Sequence, residues 1–150
     1  MAEETKPSFS LEHFLYKDNE PPPLAPDLLV LLVGLNPGLA TSRSGHAYAH
    51  PSNLFWKLLH ASGVTPRACT AREDGLLPGL FALGLTNLVA RPSRSGAELS
   101  RGEMDGGVAV LEDKVRVWRP EVVCLVGKGI WESVRRVWGA KGRSRMGGRG

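Results

Sequence analysis

The sequence predicts an α/β fold built on a doubly wound, mostly parallel sheet in three layers. Three apolar segments each run into a turn, and a segment with helical periodicity follows each of them. Buried strands that alternate with helices are typical of parallel sheets, because crossover helices cover both faces. A chain of 150 residues is long enough for one such core.

The first strand is predicted at residues 28–33, an unbroken apolar run that stops at Gly34 and is too short to favour a helix. A loop of small residues follows. Pro51 is placed as a first-turn residue of an amphipathic helix that ends before Gly63. Residues 64–80 are expected to form a short helix and turns.

Two further units complete the pattern. Residues 82–91 predict a second strand, which ends at the turn sequence RPSRSG. The capping-box pattern of Ser100 and Glu103 begins a helix with apolar residues every three or four positions up to Trp118. The segment RPEVVCLVGKG predicts a third buried strand, and IWESVRRVW a third helix before Gly139. We expect all four tryptophans to be core or packing residues and not base-stacking groups: Trp56, Trp118, Trp131 and Trp138.

The chain is expected to divide into three parts. Residues 1–27 are polar and proline-rich and predict a flexible lead-in, in which SLEHFLY forms a short helix or turn. Residues 28–138 form the domain, and residues 139–150 predict a basic, disordered tail. Residues 128–150 hold seven of the 19 basic and one of the 15 acidic residues. The net charge of +4 is therefore weak support for nucleic-acid binding.

Composition argues against export, membrane insertion and metal binding. Cys69 and Cys124 lie far apart, and Cys124 is expected to be an ordinary buried thiol in a reducing compartment. Neither a signal sequence nor a membrane-spanning run is present, which indicates a soluble, intracellular protein. His46 and His50 have the spacing of a helical metal pair, but Pro51 follows them and no third ligand is near, so we expect no metal.

The segment GLNPG, residues 34–38, follows the first strand at the sheet edge where ligands bind in such folds. It lacks the Lys-Ser/Thr ending of a nucleoside triphosphate loop and the three-glycine spacing of a dinucleotide site. This disfavours a nucleotide-binding domain. Asn-Pro-Gly is also a common structural turn, so the fragment alone leaves a structural interpretation open.

The longer stretch GLNPGLATSRSGHAYAHPSNLFWKLLHASG resembles the first active-site motif of the mismatch-specific uracil/thymine DNA glycosylases, within the uracil-DNA glycosylase superfamily. The segments GLTNLVARPS and VVCLVGKGIWES are similar to that family's second and third strands. The resemblance covers residues 28 to about 138. It implies a uracil-DNA glycosylase-like fold and a base-excision repair enzyme that hydrolyses the N-glycosidic bond of uracil, and of mismatched thymine, to leave an abasic site.

The resemblance also implies the site residues. Asn36 takes the catalytic position, where its side-chain carbonyl holds a water near the anomeric carbon of a flipped deoxyuridine. Backbone amides around Leu35, Asn36 and Gly38 bind the base, Tyr48 stacks on it, and Thr41 lies beside the pocket. The motif has no catalytic lysine, so we expect a monofunctional glycosylase without a lyase step.

Lys128 and Arg91 are candidate contacts to DNA phosphates, although each also fits an ordinary surface residue, as does Arg94. The implied partner is double-stranded DNA with G·U or G·T mismatches. We expect it to be bound by a monomer without a cofactor, in the nucleus, or in the cytoplasm of a bacterium.

The family's second active-site motif, an Asn-Pro-Ser-Gly type of loop after a fourth strand, is absent from the sequence. We therefore expect a C-terminally truncated fold that lacks the last strand and helix and exposes a strand edge and an apolar helix face. Two functions stay open: an active glycosylase, or a catalytically silent DNA-binding remnant of the same fold.

Overall fold

The computed structural model describes residues 28–146, whose centre is a sheet of three parallel strands. These are β1 (Val30–Gly34), β2 (Leu83–Asn87) and β3 (Val122–Leu125), in the order β2-β1-β3. Val30 of β1 lies opposite the first residue of each neighbour. All three carboxyl ends therefore reach the same edge of the sheet, and the predicted fold class is confirmed.

Helices make up most of the remaining described chain. The α-helices between residues 28 and 146 are α1 (Leu39–Ser44), α2 (Phe55–Ala61), α3 (Leu77–Phe81), α4 (Arg101–Trp118) and α5 (Lys128–Met146). Two 3-10 helices, Ala71–Leu76 and Gly96–Glu98, precede α3 and α4. None of the helices in this range is both long and apolar enough to cross a bilayer.

Strand β1 separates two apolar clusters, because successive side chains of a strand point to opposite faces. Leu31 and Val33 belong to a cluster with residues of α4 and α5, including the buried Trp118. Leu32 belongs to a second cluster with residues of α2 and α3, including the buried Trp56. Helices thus cover both faces of the sheet, as the three-layer prediction requires.

Helix α4 begins as the sequence predicts. Ser100 Oγ accepts a hydrogen bond from Glu103 N at 3.0 Å, and Glu103 Oε2 accepts one from Ser100 N at 2.9 Å. These reciprocal bonds satisfy two backbone donors that the first turn leaves without helical partners. The helix ends at Arg119, which adopts a left-handed backbone conformation before β3.

The segment between β1 and α2 differs from the prediction. Helix α1 forms inside the stretch expected to be a loop, and α2 begins at Phe55 instead of near Pro51. Asn53 Oδ1 accepts a hydrogen bond from Phe55 N at 2.9 Å, and Ser52 N donates to His50 Nδ1 at 3.1 Å. Such local side-chain bonds hold a turn in place of a helix start.

The prediction of a disordered tail from residue 139 was wrong as far as Met146, because α5 continues through Gly139. Contacts with α4 explain the extra turns. Lys141 Nζ donates to both carboxylate oxygens of Glu112 at 2.9 Å, and Trp138 Nε1 donates to Glu112 at 2.8 Å. Trp138 thus contacts α4 while about half of the residue stays exposed. The predicted helix or turn in the lead-in lies outside the described residues.

The third strand is not buried. Within the described chain β3 pairs only with β1, so its other edge and its side chains are open: Val122 is 54% exposed and Cys124 is exposed. Trp131 of α5 is 49% exposed. The expected exposed strand edge is seen in the described chain, whereas the predicted burial of Cys124 was wrong because no described element covers it.

Because α4 packs closely on the chain after β2, alanine substitutions at two adjacent glycines of α4 should change the free energy of unfolding in opposite directions. A Cβ on Gly107 would collide with the Leu88 backbone carbonyl oxygen, whereas one on Gly106 would meet nothing within 4 Å. Gly107→Ala should lower the free energy of unfolding by about 2 kcal/mol through overpacking. Gly106→Ala should raise it by roughly 0.5–1 kcal/mol through helix propensity. Urea unfolding of both variants measures this, and equal effects would contradict the packing.

Candidate active site

A cavity of about 830 Å³ lies at the carboxyl edge of the sheet. Its lining comes from the chain after each strand: residues 34–41 with Arg43 after β1, residues 93–96 after β2, and Val126 after β3. The segment before α2, including Tyr48 and Asn53, supplies another wall. The cavity therefore occupies the place where parallel α/β sheets bind ligands.

Asn36 lines this cavity and is held by two hydrogen bonds. Its Nδ2 donates to the Arg91 carbonyl oxygen and to Ser93 Oγ, both at 2.8 Å. Because a carbonyl oxygen only accepts hydrogen bonds, the contact with Arg91 fixes which end of the amide is the NH₂ group. Both amide protons are thus used, and Oδ1 is the end of Asn36 available to accept a bond from a water.

Ser93 joins the chain after β2 to the chain after β1. Its Oγ accepts from Asn36 and donates to the Ser95 carbonyl oxygen at 2.8 Å, and its N–H donates to the Pro37 carbonyl oxygen at 3.1 Å. Ser93 is buried, so these bonds are shielded from competing solvent. Sequence reasoning missed Ser93, because spacing alone does not bring residues 57 positions apart into contact.

Arg91 contributes its backbone to the site, while its side chain is bound elsewhere in the protein. The guanidinium donates to Glu103 from Nε at 2.8 Å and from Nη2 at 3.1 Å, and also to the Glu98 carbonyl oxygen. The Arg91 hydrogen bonds, together with the Ser100 N–H, lower the pKa of Glu103 to about 2. The carboxylate therefore stays ionised, and the pair stays intact, at any pH well above that value.

Tyr48 presents an aromatic ring to the cavity. The ring stacks on Phe55 with centroids 3.8 Å apart and planes 12° apart, and the Tyr48 backbone is left-handed with φ 51°. Burial, with a smaller contribution from Cys124, raises the pKa of Tyr48 to about 12. The phenol is therefore neutral at ordinary pH. Phe55 covers one face of the ring, and Tyr48 also lines the cavity.

The structure brings five of the seven sequence-predicted residues together. The five that line the cavity are Leu35, Asn36, Gly38, Thr41 and Tyr48. Arg91 and Lys128 do not line it. The Lys128 side chain is 89% exposed at the start of α5, with Nζ 3.5 Å from Glu132.

Asn87 and Arg43 also line the cavity and were not singled out from the sequence, whereas Arg94, which fits either a phosphate contact or an ordinary surface residue, was. Asn87 lines the cavity because β2 ends there, whereas the strand was predicted to continue to residue 91, which placed Asn87 inside it and away from the sheet edge. Arg43 and Arg94 add positive charge, and no carboxylate lines this cavity in the described chain. Within the same residues, no group of three histidine, cysteine or acidic side chains is arranged to hold a metal ion.

Gly34 allows Tyr48 and Asn87 to approach the end of β1. A Cβ at Gly34 would lie 2.5 Å from the Tyr48 hydroxyl oxygen and 2.6 Å from Asn87 Oδ1, whereas one at Gly38 would meet nothing within 4 Å. Gly34→Ala should therefore lower the free energy of unfolding by about 1–3 kcal/mol. Gly38→Ala, on an extended backbone, should change it by less than about 0.5 kcal/mol. Urea unfolding tests both, and a tolerated Gly34→Ala would contradict the close contact.

Comparisons with known proteins agree with this architecture. The family model described as the uracil DNA glycosylase superfamily matches residues 21–148, which include every residue that lines the cavity. A relative from Schizosaccharomyces pombe (strain 972), named G/U mismatch-specific uracil DNA glycosylase, is 46% identical over 110 residues. The match covers 71% of this chain and 34% of the relative, so the chain spans about a third of that curated protein. On the extent of the family match, the chain belongs to the uracil DNA glycosylase superfamily.

Proposed function

We propose that this chain removes uracil from G·U mismatches in double-stranded DNA by hydrolysing the N-glycosidic bond, which leaves an abasic site. The observation that carries the proposal is the Asn36 amide, whose NH₂ group is held by the Arg91 carbonyl and Ser93 while Oδ1 remains for a water. Membership of the superfamily and the similarity to the Schizosaccharomyces pombe G/U mismatch-specific uracil DNA glycosylase support it.

The proposed chemistry needs no strong base. Asn36 Oδ1 accepts a hydrogen bond from a water and orients it towards C1′, but an amide is too weakly basic to remove a proton before attack. Cleavage of the C1′–N1 bond therefore leads, and its electron pair leaves with the uracil. The water oxygen then bonds to the oxocarbenium-like C1′ and loses its proton to solvent. Positioned donors stabilise the departing pyrimidine anion, which supplies most of the catalysis.

The base would enter the cavity as a flipped nucleotide, because its glycosidic bond is out of reach inside a stacked duplex. The Tyr48 ring, which lines the cavity and stacks on Phe55, is the proposed stacking surface for the base. Backbone amides of the segment from Leu35 to Gly38 and the side-chain amide of Asn87 are the proposed partners of the base edge. Mismatched thymine, which differs from uracil by one methyl group, is proposed as a further substrate of the same cavity.

Charge around the cavity suits a polyanion. Arg43 and Arg94 line it without an opposing carboxylate in the described lining, so they are the proposed contacts to phosphates that flank the flipped nucleotide. Lys128 is a further candidate because its side chain is almost fully exposed. The Arg91 guanidinium is a weaker candidate, since Glu103 already binds it. We propose that the protein acts as a monomer without a cofactor, and we infer a nuclear location from this role.

Asn36→Ala tests the proposed water site. Loss of Oδ1 should lower the single-turnover excision rate by at least about 100-fold, the size of effect seen when one preorganised catalytic group is lost. The measurement is alkaline strand scission of a duplex with one G·U pair, with a G·C duplex as control and the melting temperature as a check on folding. An unchanged rate would remove Asn36 from the mechanism. If the unaltered chain binds DNA in a salt-sensitive way but never cleaves, it is a silent DNA-binding remnant.

Ser93→Ala tests whether the orientation of the Asn36 amide matters. The variant loses one of the two acceptors for Nδ2 and keeps the Arg91 carbonyl, so the excision rate should fall by roughly tenfold through poorer positioning. Ser62→Ala is the matched control, because the Ser62 hydroxyl donates to the Leu59 carbonyl outside the cavity. Equal rates in the two serine variants would show that the Ser93 contact does not contribute.

A further inference from the structure

Asp74 is a buried carboxylate that sequence reasoning did not single out. It lies in the 3-10 helix Ala71–Leu76 and is 4% exposed. Its oxygens accept hydrogen bonds from Ala47 N at 2.8 Å, His46 Nδ1 at 3.1 Å and Gly75 N at 2.8 Å. Because a carboxylate only accepts hydrogen bonds, His46 carries its proton on Nδ1 in this contact. Two of these three donors belong to the residues directly before Tyr48.

Ala47 is held on both sides by side chains from other elements. Its N–H donates to Asp74 Oδ2, and its carbonyl oxygen accepts from Trp56 Nε1 at 3.1 Å. The backbone that leads into Tyr48 is therefore fixed by the 3-10 helix on one side and by α2 on the other. Ala47 itself is buried, so water cannot easily replace either bond.

Tyr48 needs such support. A left-handed φ of 51° is unfavourable for a tyrosine and persists only where the surroundings impose it. The Tyr48 hydroxyl is buried and has no hydrogen-bond partner in the described chain, so no polar contact fixes the ring at its tip. The position of the ring depends on the stack with Phe55 and on the backbone that precedes it.

We propose that Asp74 is a positioning residue for the base-binding site: by binding Ala47 and His46 it holds Tyr48 in the conformation that presents its ring to the flipped base. This inference rests on the proposed glycosylase function. A purely structural role fits less well, because a buried carboxylate is costly and an apolar side chain of similar size commonly stabilises a core as well or better. A carboxylate is suited instead to accepting hydrogen bonds from several N–H donors at once, here those of His46, Ala47 and Gly75.

Asp74→Asn is the informative substitution. In this variant one carboxylate oxygen becomes an NH₂ group, which cannot accept a hydrogen bond from a backbone N–H. Depending on how the amide is oriented, the N–H of either Ala47 or Gly75 loses its acceptor. Glu73→Gln is the matched control, since Glu73 is the neighbouring acid, binds Arg67 and Thr70, and makes no contact with the Tyr48 segment. We expect single-turnover excision from a G·U duplex to fall about 10- to 100-fold in Asp74→Asn, as for misplaced binding groups, and to stay within about twofold in Glu73→Gln.

A double-mutant cycle with Tyr48→Ala separates positioning from general stability. If Asp74 acts through Tyr48, the loss caused by Asp74→Asn should shrink to less than about threefold when the tyrosine is absent. The same loss in both backgrounds, or a rate in Asp74→Asn equal to that of Glu73→Gln, would overturn the proposal. The melting temperature of each variant shows whether a lost rate simply reflects unfolding.

Fluorine NMR gives a readout that does not depend on excision. The sequence has two tyrosines, so 3-fluorotyrosine labelling gives two signals, which Tyr16→Phe assigns. The Tyr48 signal should move towards the solvent-exposed position in Asp74→Asn and stay in place in Glu73→Gln. A moved signal without any excision by the unaltered chain supports the positioning role while the glycosylase proposal fails. An unmoved signal overturns the positioning role whatever the activity.

Discussion

The candidate site depends on the two hydrogen bonds that the Asn36 amide donates to the chain after β2. They join two loops that leave adjacent parallel strands at the same sheet edge. The register of β1 and β2 therefore determines where Asn36 lies relative to the chain after β2. Without them an asparagine on a Pro-Gly turn could rotate and present either end of its amide. With them, one acceptor oxygen is held ready for a ligand.

Supporting contacts extend outwards from these bonds. The Arg91 ion pair with Glu103 attaches the same segment to the first turn of α4, and Gly107 lets α4 approach the backbone of Leu88. On the other wall, α2 and the 3-10 helix before α3 fix the backbone before Tyr48. Helices on both faces of the sheet thus fix the walls of the cavity. For this reason, residues distant in sequence position the same site.

Periodicity and capping were enough to predict the sheet, its parallel class and the start of α4, because these features depend on near neighbours in sequence. The resemblance placed Asn36 and Tyr48 at one cavity. Ser93 and Asp74 were missed because their roles exist only after loops meet in space. The end of α5 was misjudged because the Glu112 contacts outweigh the glycine at position 139, and α2 starts late because the Asn53 and His50 side chains hold a turn before it. The prediction that β3 is buried was wrong, because an apolar sequence does not show which other element covers the strand.

The Asn36 contact with residue 91 uses a main-chain oxygen, whereas its contact with residue 93 uses a side chain. The two contacts therefore place different demands on the side chain at each position. Any residue at position 91 retains the acceptor, so a substitution of Arg91 removes the bond to Glu103 but keeps the contact with Asn36. At position 93 only a side chain with a suitably placed acceptor retains the contact. A change at position 93 that removes the acceptor leaves the Asn36 amide with the Arg91 carbonyl as its remaining acceptor.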